Sequence, residues 1–329
     1  MLDYLLFLVG FVCLVKGADL LVDGASSIAK QFNVSDFIVG LTIVSLGTSM
    51  PELVVNIMAS LSGSSEIAIG NVIGSNIANI LLILGISAMI CPLPIQKNTV
   101  LSEIPFSLTA TLLVGFLANA GLFNENGQEF SLSRFDGGIL LAFFALFMAY
   151  IFNLSKESRL EEAAVPKAVV VPDDEIKTMP SSKAILWIAI GVGGLFLGGK
   201  WVVDGAMVFA KELGFSETFV GLTIVAVGTS LPELVTSAVA ATKKKTDLAV
   251  GNVIGSNIFN LLWILGISAS IHPMPFDVIT NDDILILIGS SSLIIFFLAT
   301  GRKNTIDRWE GAIFLILYIV YVVYLVMRG

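Results

Sequence analysis

The stretch VGLTIVSLGTSMPELV, residues 39–54, returns as VGLTIVAVGTSLPELV at residues 220–235. The same offset of 181 residues relates Gly40 to Gly221, Pro51 to Pro232 and Glu52 to Glu233. Extended without a gap over 39–87 against 220–268, the repeat preserves 30 of 49 residues. Both glutamates lie deep inside apolar sequence. A carboxylate at bilayer depth costs about 3 kcal/mol unless it is paired, protonated or turned toward a watery cavity. Carrying that cost twice, in matching frames, points to one cation site assembled from both halves of the chain.

Composition agrees. Of 329 residues, 56% are hydrophobic and 13% charged, and the mean hydropathy is +0.91. A soluble domain carries about 25% charged residues, so this is a polytopic membrane protein whose natural partner is the lipid bilayer. A net charge of −8 and a pI near 4.7 leave no basic face for nucleic acid. Cys13 and Cys91 sit in or beside apolar segments and give no disulfide or zinc framework. The first 22 residues lack the basic start and clear cleavage site of a signal peptide. Asp23-Gly24-Ala25 returns as Asp204-Gly205-Ala206, so this segment reads as a retained first helix.

Ten apolar stretches are long enough to span: 2–23, 37–60, 67–91, 100–121, 134–154, 184–205, 217–241, 248–271, 283–300 and 308–327. Between the fifth and sixth lies a linker over 155–182, with Pro166, Pro172 and Pro180 and acidic runs at Glu161-Glu162 and Asp173–Glu175. It is too short to fold alone. Arg134-Phe135-Asp136-Gly137 answers Arg308-Trp309-Glu310-Gly311, now at an offset of 174, so each half holds five helices. The expected fold is all-α: residues 1–154 as one five-helix repeat and 183–329 as a second.

Five is odd, so the second repeat enters the membrane from the opposite side, the inverted plan of secondary transporters. Basic residues test this independently. Thirteen Lys and Arg fall in the odd-numbered loops, and only Arg134, Lys211 and Arg328 on the other side. The positive-inside rule then puts both termini outside and the linker in the cytoplasm. Lys243-Lys244-Lys245 aligns with Ser62-Gly63-Ser64, near-identical flanks that differ in charge as opposite sides require. Lys16 with Asp19, and Lys200 with Asp204, read as local ion pairs near helix ends.

Each repeat has two chemical parts. In Gly47-Thr48-Ser49-Met50-Pro51-Glu52 the proline lacks a donor and clashes with the preceding turn. Carbonyls around Ser45–Thr48 are thereby available to a cation, beside the hydroxyls of Thr48 and Ser49. Ala226–Glu233 offers the same. In the second part, Asn71, Ser75 and Asn79 fall at i, i+4 and i+8, one stripe of a helix, and Asn252, Ser256 and Asn260 repeat it. Gly70 and Gly74 form a G-x-x-x-G, which taken alone means close helix packing. All donors are oxygen, which suits Na+, Ca2+ or Mg2+ and disfavours zinc, copper or iron. Two glutamates supply −2, the charge that one Ca2+ or two Na+ neutralises.

These motifs resemble the alpha repeats of the sodium/calcium exchanger family, within the wider cation/calcium antiporter superfamily. The likeness covers nearly the whole chain, because G-T-S-x-P-E and G-N-V-I-G-S-N-I-x-N each occur twice in the expected order. It implies an exchanger that moves Ca2+ outward against inward Na+ by alternating access, with no cofactor beyond the transported ions. It also implies roles: Glu52 and Glu233 as shared carboxylates, and Thr48, Ser49, Thr229 and Ser230 as hydroxyl and backbone ligands. The carbonyls of Ser45 and Ala226 would lie nearby, and Ser75, Asn79, Ser256 and Asn260 would complete a central diamond. The first and sixth helices, poor in such ligands, would slide across the core. Some relatives, including the potassium-dependent branch, have Asp where this chain has Asn260, which argues against potassium dependence. Thr48 and Pro51 favour sodium over the proton-coupled version of the motif. A large regulatory domain has no room in 155–182.

Three rival functions can be weighed. A Ca2+/H+ or other cation antiporter would use the same glutamates as proton carriers. A passive channel would hold a divalent ion too long between duplicated carboxylates. An intramembrane hydrolase would need a base beside Ser49 or Ser230, and the one histidine, His272, sits at a helix end. The expectation is a transporter and not an enzyme, with no obligate protein partner.

Overall fold

The computed structural model describes residues 2–63, 65–96, 101–123, 130–164, 179–212, 226–302 and 304–328. Seven uninterrupted helices among them are long and apolar enough to span: α1 (Leu2–Gln31), α3 (Ile67–Ile90), α5 (Arg134–Ala164), α6 (Ser181–Glu212), α8 (Thr246–Ile271), α9 (Thr280–Thr300) and α10 (Arg308–Arg328). The second span is a broken pair, α2a (Asp36–Thr48) and α2b (Met50–Leu61), bent by 47°. A shorter apolar helix, α4 (Glu103–Ala118), fills the fourth place. The described part of the seventh is α7a (Ala226–Thr229) and α7b (Leu231–Thr242). The first part of that expected span, 217–225, lies outside the described residues, as do Pro166, Pro172 and Asp173–Glu175.

Helix α5 continues through Ala164, ten residues past the end expected from hydropathy. Apolar pattern marks where a span ends, whereas Lys156–Ala164 contains good helix formers that let the helix continue past it. The far end of the linker is docked. Met179 donates its N–H to Ser27 Oγ (3.2 Å), and the Gln31 side-chain amide donates to the Met179 carbonyl.

Helices α1 and α6 run antiparallel at backbone contact. Glycines recur every seventh residue on each, at 10, 17 and 24 and at 191, 198 and 205. A Cβ at Gly17 would stand 2.8 Å from the Gly191 carbonyl oxygen, and one at Gly191 equally close to that of Gly17. Small residues at such an interface let helices gain dispersion contacts that lipid cannot replace. Asp19, on α1, pairs not with nearby Lys16 but with Lys243 at the end of α7b (2.9 Å), and Asp23 joins it at 2.7 Å. The reason is reach. Lys16 is exposed, while Lys243 is presented to α1 from the turn between α7b and α8.

The two halves are interlocked rather than stacked. A short strand after α3, β1 (Leu93–Pro94), pairs with one before α10, β4 (Thr305–Ile306); β2 (Ser131–Leu132), before α5, pairs with β3 (Met274–Pro275), after α8. Arg134 donates to the Ile271 carbonyl at the end of α8, and Arg308 to the Ile90 carbonyl at the end of α3, both at 3.3 Å. These carbonyls are the ones a helix leaves without internal donors. Glycine makes the approach possible: a Cβ at Gly137 would meet the Gly266 carbonyl, and one at Gly311 the Gly85 carbonyl, each at 2.8 Å. Each half thus lends its last helix to the other. Within each half, a tyrosine of that helix bonds a carboxylate at the start of the preceding one, Tyr150 to Glu103 and Tyr324 to Asp282, both at 2.7 Å.

Candidate cation site

Both broken spans break at the same residue type. Ser49 (φ −83°, ψ 9°) and Ser230 (φ −86°, ψ 5°) leave helical geometry, and Pro51 and Pro232 fall in the first turn of the new helices α2b and α7b. Proline is tolerated there because its missing N–H would have no partner in that turn. Glu52 and Glu233 follow in the same first turns, where the positive end of the helix dipole favours a carboxylate. Both side chains are buried, at 0% and 1% exposure.

The breaks face each other across the two halves, and each reaches into the other repeat. Ser49 Oγ donates to Glu233 Oε1 at 2.8 Å, and Ser230 Oγ to Glu52 Oε1 at 3.3 Å. Thr48 Oγ1 donates to Asn252 Oδ1 at 3.1 Å, and Thr229 Oγ1 to Asn71 Oδ1 at 3.2 Å. The Ser45 carbonyl accepts the Ser49 N–H (2.9 Å) and lies 3.3 Å from the Thr48 hydroxyl, whose single proton it shares with Asn252 Oδ1. A cation bound there would therefore take the place of the Thr48 bond. Ala226 opens α7a at the equivalent place.

Helices α3 and α8 supply the other wall. Gly251 and Gly255 let α2a press against α8: a Cβ at Gly251 would stand 2.5 Å from the Phe37 carbonyl. Asn79 and Asn260 each lie at the junction of the α-helix with a π-helical stretch, Asn79–Leu84 and Phe259–Ile264. Such bulges shift the register of every later side chain and concentrate at functional sites. Across the crossing of α3 and α8, Asn79 Nδ2 donates to Asn257 Oδ1 (2.9 Å), and Asn260 Nδ2 to Asn76 Oδ1 (3.0 Å).

What remains is mostly oxygen, beside one bare amide nitrogen, Asn71 Nδ2. Glu52 Oε2, Glu233 Oε2, Ser75 Oγ, Ser256 Oγ, Asn79 Oδ1 and Asn260 Oδ1 are all buried without a hydrogen-bond partner among the described residues. Buried oxygens are normally satisfied, and each one left bare costs about 1–3 kcal/mol. Six on homologous positions of two repeats, including two carboxylates, make an environment suited to a dehydrated hard cation. The sequence pattern pointed to all six. It missed Asn76 and Asn257, one residue off the polar stripe. Their signal lies in the duplicated G-S-N triplets, which a stripe counted at every fourth residue passes over. His272 stays exposed at the end of α8, its Nδ1 2.8 Å from the Pro273 carbonyl oxygen.

The sequence profile described as sodium/calcium exchanger protein matches residues 2–153 and 183–327. The chain is 37% identical over 325 residues to the putative antiporter CaxA of Alkalimonas amylolytica, covering 95% of each sequence. It is 34% identical over 348 residues to the sodium/calcium exchanger MaX1 of Methanosarcina acetivorans, covering 98% of each. Among solved structures it is similar to the sodium-calcium exchanger NCX_Mj soaked with 2.5 mM Na+ and 0.1 mM Ca2+, with a TM-score of 0.79, 31% identity and 98% of each chain covered.

Proposed function

The chain belongs to the sodium/calcium exchanger family, and on that premise we propose that it carries Ca2+ out of the cell in exchange for Na+, by alternating access to one central site. The observation that carries this reading is the set of six buried, unpartnered oxygens contributed equally by the two repeats. Glu52 and Glu233 supply the −2 that one Ca2+ or two Na+ neutralises. Both ions therefore compete for one charge, which is what couples them. Thr48, Ser49, Thr229 and Ser230, with the Ser45 and Ala226 carbonyls, line the helix breaks as neutral ligands. Ser75, Asn79, Ser256 and Asn260 close the site from the opposite wall.

Alternating access calls for a rigid unit that moves over the core, and the α1–α6 pair fits that part. Its backbones interlock through glycine, and Ser27 and Gln31 tie the entry of α6 to α1. Both termini face outward and the 155–182 linker is cytoplasmic, as the distribution of basic residues supports.

The experiment is flux. Protein reconstituted in vesicles loaded with Na+ should take up Ca2+ when diluted into Na+-free buffer. Uptake driven equally well by a pH gradient without sodium moves the assignment to the proton-coupled antiporters. Uptake needing no counter-ion makes the protein a channel.

A further inference from the structure

Four buried asparagines lie where α3 crosses α8, and their hydrogen bonds have a direction. The fixed point is backbone: Asn76 Nδ2 donates to the Asn257 carbonyl oxygen at 3.3 Å, an atom that can only accept. Asn76 Oδ1 therefore faces Asn260, whose Nδ2 donates to it at 3.0 Å. With its amide nitrogen engaged there, Asn260 turns Oδ1 the other way. In the mirrored position Asn79 Nδ2 donates to Asn257 Oδ1 at 2.9 Å, and Asn79 Oδ1 is turned away likewise. Both released oxygens are buried and have no donor among the described residues. All four side chains are at most 2% exposed, so water does not set their orientation.

An amide has two unlike ends. Its oxygen attracts a cation and its NH2 repels one. Asn79 and Asn260 alone do not decide which end a bound ion meets. We infer that Asn76 and Asn257 are positioning residues that hold Asn260 and Asn79 oxygen-first toward the transported cation, and so set Ca2+ affinity without touching the ion. This rests on the central site proposed above. The plainer account is that these bonds only fasten α3 to α8, as polar side chains in membrane helices often do.

Two variants separate the accounts. Asn76→Leu loses the donor to the Asn257 carbonyl and should melt at lower temperature without Ca2+, whereas in Asn76→Asp the buried acid, facing that carbonyl and near two other carboxylates, can take up a proton and donate there in its place. They differ at the acceptor: the aspartate still accepts from Asn260, and the leucine frees that amide to rotate. Melting of the purified full-length protein with and without Ca2+ reads binding directly, and Ca2+ uptake gives KM. In Asn76→Leu the Ca2+-dependent rise in Tm should shrink at every Ca2+ concentration, its onset moving to about tenfold higher Ca2+, and KM should climb about tenfold, the equivalent of ~1.4 kcal/mol. Asn76→Asp should keep the rise and a KM within about threefold of the parent's. Asn257→Leu makes the same test on Asn79 and stands in where Asn76→Leu does not fold. A leucine variant that retains the parent's Ca2+-dependent rise and KM reduces the contact to packing and overturns the inference. The melting experiment contains no sodium gradient, so its outcome is independent of which ion drives Ca2+ transport.

Discussion

The two carboxylates and four neutral oxygens proposed as ligands should not contribute equally. Glu52→Gln and Glu233→Gln each keep the shape but remove half the compensating charge, at a depth where charge is poorly screened. Each should abolish Ca2+ uptake at normal expression; retained uptake in either removes that glutamate from the site. Ser49→Ala should reduce uptake only about three- to tenfold, because it deletes one neutral ligand and the donor to Glu233 Oε1. Asn260→Asp is subtler. The carboxylate has no N–H for Asn76 Oδ1, and a third negative charge near Glu52 and Glu233 calls for a further positive one. Ca2+ flux in this variant should acquire a dependence on K+ or on pH that the parent lacks. Identical responses of variant and parent would mean that Asn260 does not face the ion.

At the scale of helices, glycine sets how α1 and α6 meet. In Gly17→Leu the new side chain would collide with backbone, the Gly191 carbonyl oxygen at 2.8 Å and the Leu195 nitrogen at 2.9 Å, and neither can swing aside. Overpacking of this kind costs about 1–3 kcal/mol. The variant should melt earlier and lose transport even though no ion ligand has changed. Gly193→Ala, where a Cβ meets nothing within 4 Å, serves as the control. The helix breaks and the polar stripes were legible in the sequence because both are local: a proline fixes one, and a period of four residues the other. The orientation of Asn76 and Asn257 was not legible, since it exists only where two helices 181 residues apart cross. The pairing of Asp19 with Lys243 was hidden for the same reason, and the sequence offered the nearer Lys16 instead. Hydropathy likewise could not tell where α5 stops, because the residues past the apolar span remain good helix formers.

Across the whole molecule the inverted repeat is imperfect, and one imperfection lies at the face that carries Lys243. Asp19 and Asp23 of α1 clasp Lys243 of the core, while the positions equivalent by repeat are Lys200, Asp204 and Ser62. The same clasp cannot form there. On the proposed movement of α1 and α6, opening a path on the Lys243 side would part α1 from α7b, so Lys243→Gln should favour that opening. KM for Ca2+ presented from this face should fall, and from the other rise, by about two- to fivefold, the range of partly exposed ion pairs. Burial by itself lowers the Lys243 ammonium, but the hydrogen bonds and charges of Asp23 and Asp19 outweigh it and raise it above its ordinary value of 10.5. A raised lysine keeps its contact below that value and yields it only as pH climbs past the raised one. The clasp should therefore hold unchanged over roughly pH 6–9. Topology has its own test. With Cys13 and Cys91 replaced, Lys244→Cys should react with an impermeant thiol reagent only after permeabilisation, and Ser62→Cys in intact cells. Labelling of both from one side would refute the inversion.

The exchanged last helices also impose an order on biosynthesis. When α3 has entered the bilayer, the arginine that will cover its final carbonyls and the strand that will pair with Leu93–Pro94 have not yet been translated. Helix α5 in turn waits for α8. A nascent first half must therefore carry Glu52 and its asparagines in lipid without their counterparts until the second half emerges. The ribosome and the insertion machinery thus meet the first half before the contacts that complete it exist.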